Sequence, residues 1–155
     1  MSNINSVKSI KILDSRGNWT IKTRVELDDG SYGVQSIPGG ASTGESEAVS
    51  IDAIVAIDKV NNVIAPAVVG HDADRQYDLD RDMIQLDGTD NKSNLGANSI
   101  LSVSLATASA AAMSHGVQLY QHLRFLYDGK NVSRSELTFP TPVFNILNGG
   151  KHAQN

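Results

Sequence analysis

Apolar and polar positions alternate through the first third of the chain. Val7 to Leu13 forms a strand-like run that ends in the turn formers Asp14-Ser15-Arg16-Gly17-Asn18. Ile21, Thr23, Val25 and Leu27 then alternate with Lys22, Arg24 and Glu26, the period of a strand with one buried face. Asp28-Asp29-Gly30-Ser31 supplies a hairpin turn, and Tyr32 to Ile37 returns as a third strand. These elements predict a three-stranded antiparallel meander. Beyond residue 47 the period lengthens. Ala48, Ile51, Ile54 and Val55 fall at helical spacing, and Val60 and Ile64 extend the stripe until Pro66 stops it. A second helix is capped by Asp72 or Asp74 and turns Leu79, Met83 and Leu86 inward. Asp87 to Asn94 is polar and turn-rich, a loop. Ala97 to Ser114 is an alanine- and serine-rich helix with bulk at Ile100, Leu101, Val103 and Leu105, suited to a central position, with Gly116 as its stop. Leu119 to Tyr127 forms a last short helix. Strands first and helices afterwards predict an α+β fold.

Between the two regimes lies Pro38-Gly39-Gly40-Ala41-Ser42-Thr43-Gly44, followed by Glu45-Ser46-Glu47-Ala48. Glycine allows backbone angles and close approaches that a Cβ would block. Ser42 or Thr43 is placed to cap the following helix, with Glu45 and Glu47 in its first turn. Such a loop offers N–H groups, carbonyls and a hydroxyl to an anion or a metal. It is not a Walker loop, because no Gly-Lys-Ser/Thr follows at the required spacing. From local chemistry alone, a plain strand-to-helix connection is the better account of it.

Composition narrows the field. Hydrophobic residues at 40% and charged residues at 19% place the chain among globular proteins. A net charge of -4 gives no reason to expect nucleic acid or an anionic membrane as partner. The chain has 0 cysteines, which excludes disulfides and thiolate chemistry and suits a reducing cytoplasm. Met1-Ser2-Asn3-Ile4-Asn5 lacks the basic and apolar sections of a signal peptide. A cytoplasmic protein is the expectation.

Candidate chemistry is sparse. His71, His115, His122 and His152 show no zinc-ligand spacing. The first three sit near predicted helix ends, where surface or capping roles are expected. His152 follows two glycines after an apolar run, a position that suits either function or structure. Asp87, Asp90 and Lys92 do not match an EF-hand series, so turn chemistry explains them better. No Ser-His-Asp arrangement can be assembled.

Taken together, several segments resemble one family, enolase (phosphopyruvate hydratase). Asp14-Ser15-Arg16-Gly17-Asn18 is similar to its early signature, and Gly40-Ala41-Ser42-Thr43-Gly44 with Glu47-Ala48 to its mobile active-site loop. The most specific stretch is Leu86-Asp87-Gly88-Thr89-Asp90-Asn91-Lys92-Ser93, with Leu95-Gly96-Ala97-Asn98 and Val103-Ser104-Leu105-Ala106 after it. Asn145-Ile146-Leu147-Asn148-Gly149-Gly150 with His152-Ala153 looks like the first barrel strand and its loop. The resemblance implies an enolase N-terminal-like α+β domain over residues 1–136, a meander followed by a helical bundle. It also implies the start of a truncated β/α-barrel domain over residues 137–155, with a trailing strand from Val143 to Leu147.

The family is a lyase of glycolysis that dehydrates 2-phosphoglycerate to phosphoenolpyruvate with Mg²⁺ and pairs as a homodimer. Its lysine base, proton-donating glutamate and first-metal carboxylates belong to barrel strands outside this sequence. What carries over is Ser42 as a ligand of the second Mg²⁺, Ala41 with Gly40 beside it as backbone lying against substrate, and His152 as a substrate contact. This chain supplies an active-site lid and is expected to be inactive alone. Departures surround that lid. Trp19 replaces a proline, Gly39 replaces a serine, Lys151 stands beside His152, and a charged, glycine-containing stretch after Ala48 is missing, which fuses two family helices into one. These departures keep open a non-catalytic enolase-like binding or regulatory domain. A standalone phosphate-binding protein rests on the glycine-rich loop only.

Overall fold

The structure is a computed structural model that describes residues 2–40, 44–129 and 138–146. Strands β1 (Ile4–Leu13), β2 (Trp19–Leu27) and β3 (Tyr32–Ile37) form one antiparallel sheet in the order β1-β2-β3. The first two are joined through Leu13 opposite Trp19. Asp14 Oδ1 accepts the N–H groups of Arg16 (2.9 Å) and Asn18 (2.8 Å), so one carboxylate shapes that turn. Alternation works as predicted: Ile21, Val25 and Leu27 are buried on one sheet face with Thr23 among them.

Helix α4 (Ala97–Ser114) lies across that face and is the centre of the domain. Its small residues allow a very close approach. A Cβ on Gly33 of β3 would stand 2.0 Å from the Ala106 carbonyl oxygen, so only glycine permits this contact. Buried hydroxyls are satisfied locally: Ser102 Oγ donates to the Ser99 carbonyl at 2.8 Å, and Thr107 Oγ1 to that of Val103 at 2.9 Å. Ser102 also meets Thr23 of β2 at 2.7 Å, a polar rivet within an apolar layer. Val103, Ala106 and Ala110 join Val25, Leu27, Val60, Ile64, Leu79 and Met83 in the main core.

The first helical segment departs from the sequence expectation at both ends. It begins at Ala53, not near Ala48, and Asp52 is its cap, its carboxylate accepting from Ile54 and Val55. Ser42 and Thr43, the expected caps, lie outside the described residues. The helix cannot start earlier because the backbone groups of Val49 and Ile51 are bonded elsewhere, as described below. Nor does Pro66 end it. Helix α1 (Ala53–Lys59) runs through a π segment (Val60–Ile64) into α2 (Ala65–Val68), all with right-handed helical angles. Proline removes a donor and crowds the preceding turn. The widened turn immediately before it absorbs that conflict. The π segment also aims Asn61 at β1, where its amide brackets Ser9: Oδ1 accepts from Ser9 N–H at 2.8 Å and Nδ2 donates to Ser9 C=O at 3.1 Å. One helical rod stands where two fused helices were expected.

Helix α3 (Gln76–Asp87) buries Leu79 and Met83, but Leu86 is exposed. Arg75 is its N-cap residue, and neither Asp72 nor Asp74 caps it. Asp72 instead closes the preceding turn on Asp74 N–H at 3.1 Å, and Asp74 pairs with His115. Gly116 (φ 65°) follows the α4 cap, and α5 (Leu119–Asp128) leaves at 102° to α4. Residues 138–146 have no regular structure, and Val143, Phe144 and Ile146 are exposed. The expected trailing strand is therefore not formed over residues 143–146, which find no partner strand; Leu147 lies outside the described residues, as does the expected boundary at residues 136–137.

Candidate functional site

The glycine-rich segment is held at both ends by the same helix. On its near side, β3 packs along α4, with Gln35 Nε2 donating to Ser109 Oγ at 2.8 Å, and Ile37 packs against Ile21, Ala53 and Ala56. On its far side, Val49 N–H donates to Asn91 C=O at 2.8 Å, and Ala97 N–H donates to Val49 C=O at 2.7 Å. Asn98, in the first turn of α4, brackets Ile51 as Asn61 brackets Ser9. Its Oδ1 accepts from Ile51 N–H at 3.2 Å and its Nδ2 donates to Ile51 C=O at 2.9 Å. Gly96 makes this possible, since a Cβ there would lie 2.5 Å from the Ile51 side chain. Residues 48–51 are thus pinned onto the 91–98 segment, which explains why the helix starts late.

Asp87 holds that 91–98 segment in place. Its side chain is buried and accepts N–H groups from Thr89 (3.0 Å), Asn94 (3.1 Å) and Leu95 (2.6 Å), besides the Thr89 hydroxyl. Burial pushes its carboxyl upward, but these bonds from Leu95, Thr89 and Asn94 outweigh it and hold the group below its ordinary value. Turn chemistry was the expectation for this loop, and the bonds made by Asp87 are of that kind.

Between the anchors, Glu47 turns back on Gly44. Its N–H donates to Gly44 C=O at 3.1 Å, and its Oε2 accepts from Gly44 N–H at 2.9 Å. This is a closed turn, not the expected first turn of a helix. A cleft of about 620 Å³ opens here, lined by Gly39, Gly40, Glu45, Glu47, Ser50 and Asn91 among others. A smaller cavity of about 140 Å³ continues from Gly39 and Gly40 to Asp14, Arg16, Asn18 and Trp19. Trp19 is 57% exposed at its edge, with the Lys11 ammonium 4.0 Å from its ring centroid.

Of the predicted site residues, Gly40 lines both cavities. Ala41, Ser42 and His152 lie outside the described residues. The described rim of the larger cleft carries two carboxylates and no cation, so a phosphorylated anion would need positive groups from elsewhere; Arg16 lines the adjoining smaller cavity. Among the described residues no group of three His, Asp or Glu side chains could hold a metal. Mg²⁺ demands six oxygens in near-octahedral array. These residues do not make a Mg²⁺ site by themselves.

A family model described as "Enolase, N-terminal domain" matches residues 4–123. The chain belongs to the enolase N-terminal domain family. The match spans the meander, every helix up to the first half of α5, and both anchors of the glycine-rich segment. The anchoring role of Asn91 and Asn98 in this enolase-family domain escaped the sequence reading, although both stand inside the family-like motifs. A glycine followed by Ala-Asn at a helix start was the available signal. The histidine expectations fare unevenly. His115 occupies the C-cap of α4, as expected of a helix end, and His71 lies on the surface side 4.0 Å from Asp82. His122 does not lie on the surface: it is buried in α5.

Proposed function

We propose that this chain is the lid-bearing domain of an enolase-type lyase, working against a β/α barrel that supplies the reacting groups. The observation that carries this reading is the family match over residues 4–123, coincident with a glycine-rich segment tied at both ends to α4 beside an open cleft. In this reading the reaction is dehydration of 2-phosphoglycerate to phosphoenolpyruvate. Its difficult step is removing a proton beside a carboxylate, and Mg²⁺ when bound supplies charge stabilisation for the dianion that results. This chain's part is to bring Gly40, Ala41 and Ser42 over the substrate, to exclude water, and to offer the Ser42 hydroxyl and carbonyl as oxygens of a site completed elsewhere. His152 would contact substrate, and the full assembly would be a cytoplasmic homodimer.

The test joins the chain to a barrel in one polypeptide and follows phosphoenolpyruvate formation. Turnover is expected, and Ser42→Ala is expected to weaken the Mg²⁺ dependence by at least roughly tenfold. No turnover with a barrel known to be competent, or an unchanged Mg²⁺ dependence in the variant, would overturn the assignment. The second reading is a non-catalytic binding or regulatory domain. It is favoured by the uncompensated Glu45 and Glu47 on the cleft rim and by Trp19 at the edge of the adjoining cavity. Calorimetry separates the two: a folded fusion that takes up neither Mg²⁺ nor 2-phosphoglycerate supports the second.

A further inference from the structure

Helix α5 presents Tyr120, Leu123 and Tyr127 to solvent, and the only side chain it buries fully is a histidine. His122 is 3% exposed, and its Nε2 is buried without a hydrogen-bond partner. Its ring stacks on that of His115, with centroids 6.1 Å apart and planes at 23°. His115 closes α4, and its Nε2 lies 2.6 Å from Asp74 Oδ1. Three parts of the fold meet here: the end of α4, the turn before α3, and the inner face of α5.

The charged surroundings of His122 are few. Helix α4, against which α5 packs, contains no charged residue, so His115 at its end is the sole titratable group on that side. Asp74 is the nearby carboxylate, and it is already engaged by His115. On α5 itself, Arg124 and Asp128 pair with each other at 2.7 Å. An imidazolium at His122 would therefore carry a buried donor with no acceptor, stacked on a second imidazole ring.

We propose that His122 is a proton-operated release for α5: neutral, it seals the helix onto α4, and protonated, it drives the helix off. Burial first, and the charge of His115 second, hold His122 below its ordinary value of 6.5, with Asp74 pulling weakly the other way. The released state thus binds a proton more readily than the docked one. Docking is fully stable above about pH 6.5 and loses stability as pH falls below that value toward the docked one. Release would mobilise α5 and uncover the face it shares with α4, so acidification would alter both the mobility and the apolar surface of this end of the domain.

Hydrogen exchange measured by mass spectrometry on the 155-residue chain tests this at about pH 7.5 and about pH 5, after correction for intrinsic exchange. Peptides from α5 are expected to lose protection by up to roughly tenfold per pH unit below the ordinary histidine value, while those from β1 to β3 keep theirs. His122→Gln should abolish the loss, and His115→Gln should shrink it. Unchanged α5 protection across this range, or an undiminished loss in His122→Gln, overturns the proposal. Should His122→Gln not fold, proton NMR of the wild-type rings decides. A His122 ring that titrates below the ordinary value supports the release, and one that titrates at or above it ends the idea.

Discussion

At the scale of single residues, Asp87 does the work of several. One buried carboxylate closes the 87–95 loop by taking three backbone N–H groups and a hydroxyl. Asp87→Asn removes the charge and half the acceptor capacity, leaving buried donors unmet. A loss of about 2–3 kcal/mol is expected, read from the urea midpoint. The pH dependence has a definite sign. Because its folded value lies below the ordinary 3.8, the carboxylate contributes stability above that pH and loses it as pH falls through the folded value. The wild type should therefore weaken on acidification below about 3.8 by an increment that Asp87→Asn lacks. None of this was visible in the sequence beyond a cluster of turn formers. Spacing showed that residues 87–94 form a loop, but not that one side chain of it faces inward. His122 was misjudged for the same reason. A polar residue near a helix end is ordinarily at the surface, and only the 102° bend between α4 and α5 turns this one inward.

At the scale of elements, legibility followed the strength of the local pattern. The three strands and α4 were readable because period and turn chemistry agreed, and β3 and α4 match their predicted bounds. The helical rod was misread where the pattern was ambiguous. Ala48 and Ile51 fit a helical stripe, but Asn91, Ala97 and Asn98 claim the backbone of residues 49 and 51, and long-range partners override spacing. The close contact between β3 and α4 yields a sharp contrast. Gly33→Ala places a Cβ 2.0 Å from one backbone oxygen and 2.6 Å from the Ala110 nitrogen, neither of which can yield. About 3 kcal/mol or more should be lost in thermal or urea unfolding. Gly39→Ala meets nothing within 4 Å and should change stability by no more than about 0.5 kcal/mol. Equal effects at the two sites would contradict the packing described.

At the scale of the whole molecule, apolar surface is left without cover. Phe139, Val143, Phe144 and Ile146 are exposed, as are Tyr120, Leu123 and Tyr127 along α5. Such surface favours association. Sedimentation velocity over a concentration series should show the average mass rising; a single monomeric species at high concentration would count against it. The family was legible because its motifs are dispersed in order over residues 4–123. The site was only partly legible, since sequence motifs name residues and do not say which backbone groups anchor them.

Both ends of the glycine-rich segment fasten to one helix, β3 along its side and Ile51 at its first turn. The interval between them is therefore a ring already closed by the folded body, and its length is thermodynamically cheap to change. Doubling such an interval costs only about 0.6 kcal/mol in closure entropy. Between Ile37 and Val49 the domain can accept other sequences while the scaffold stays fixed.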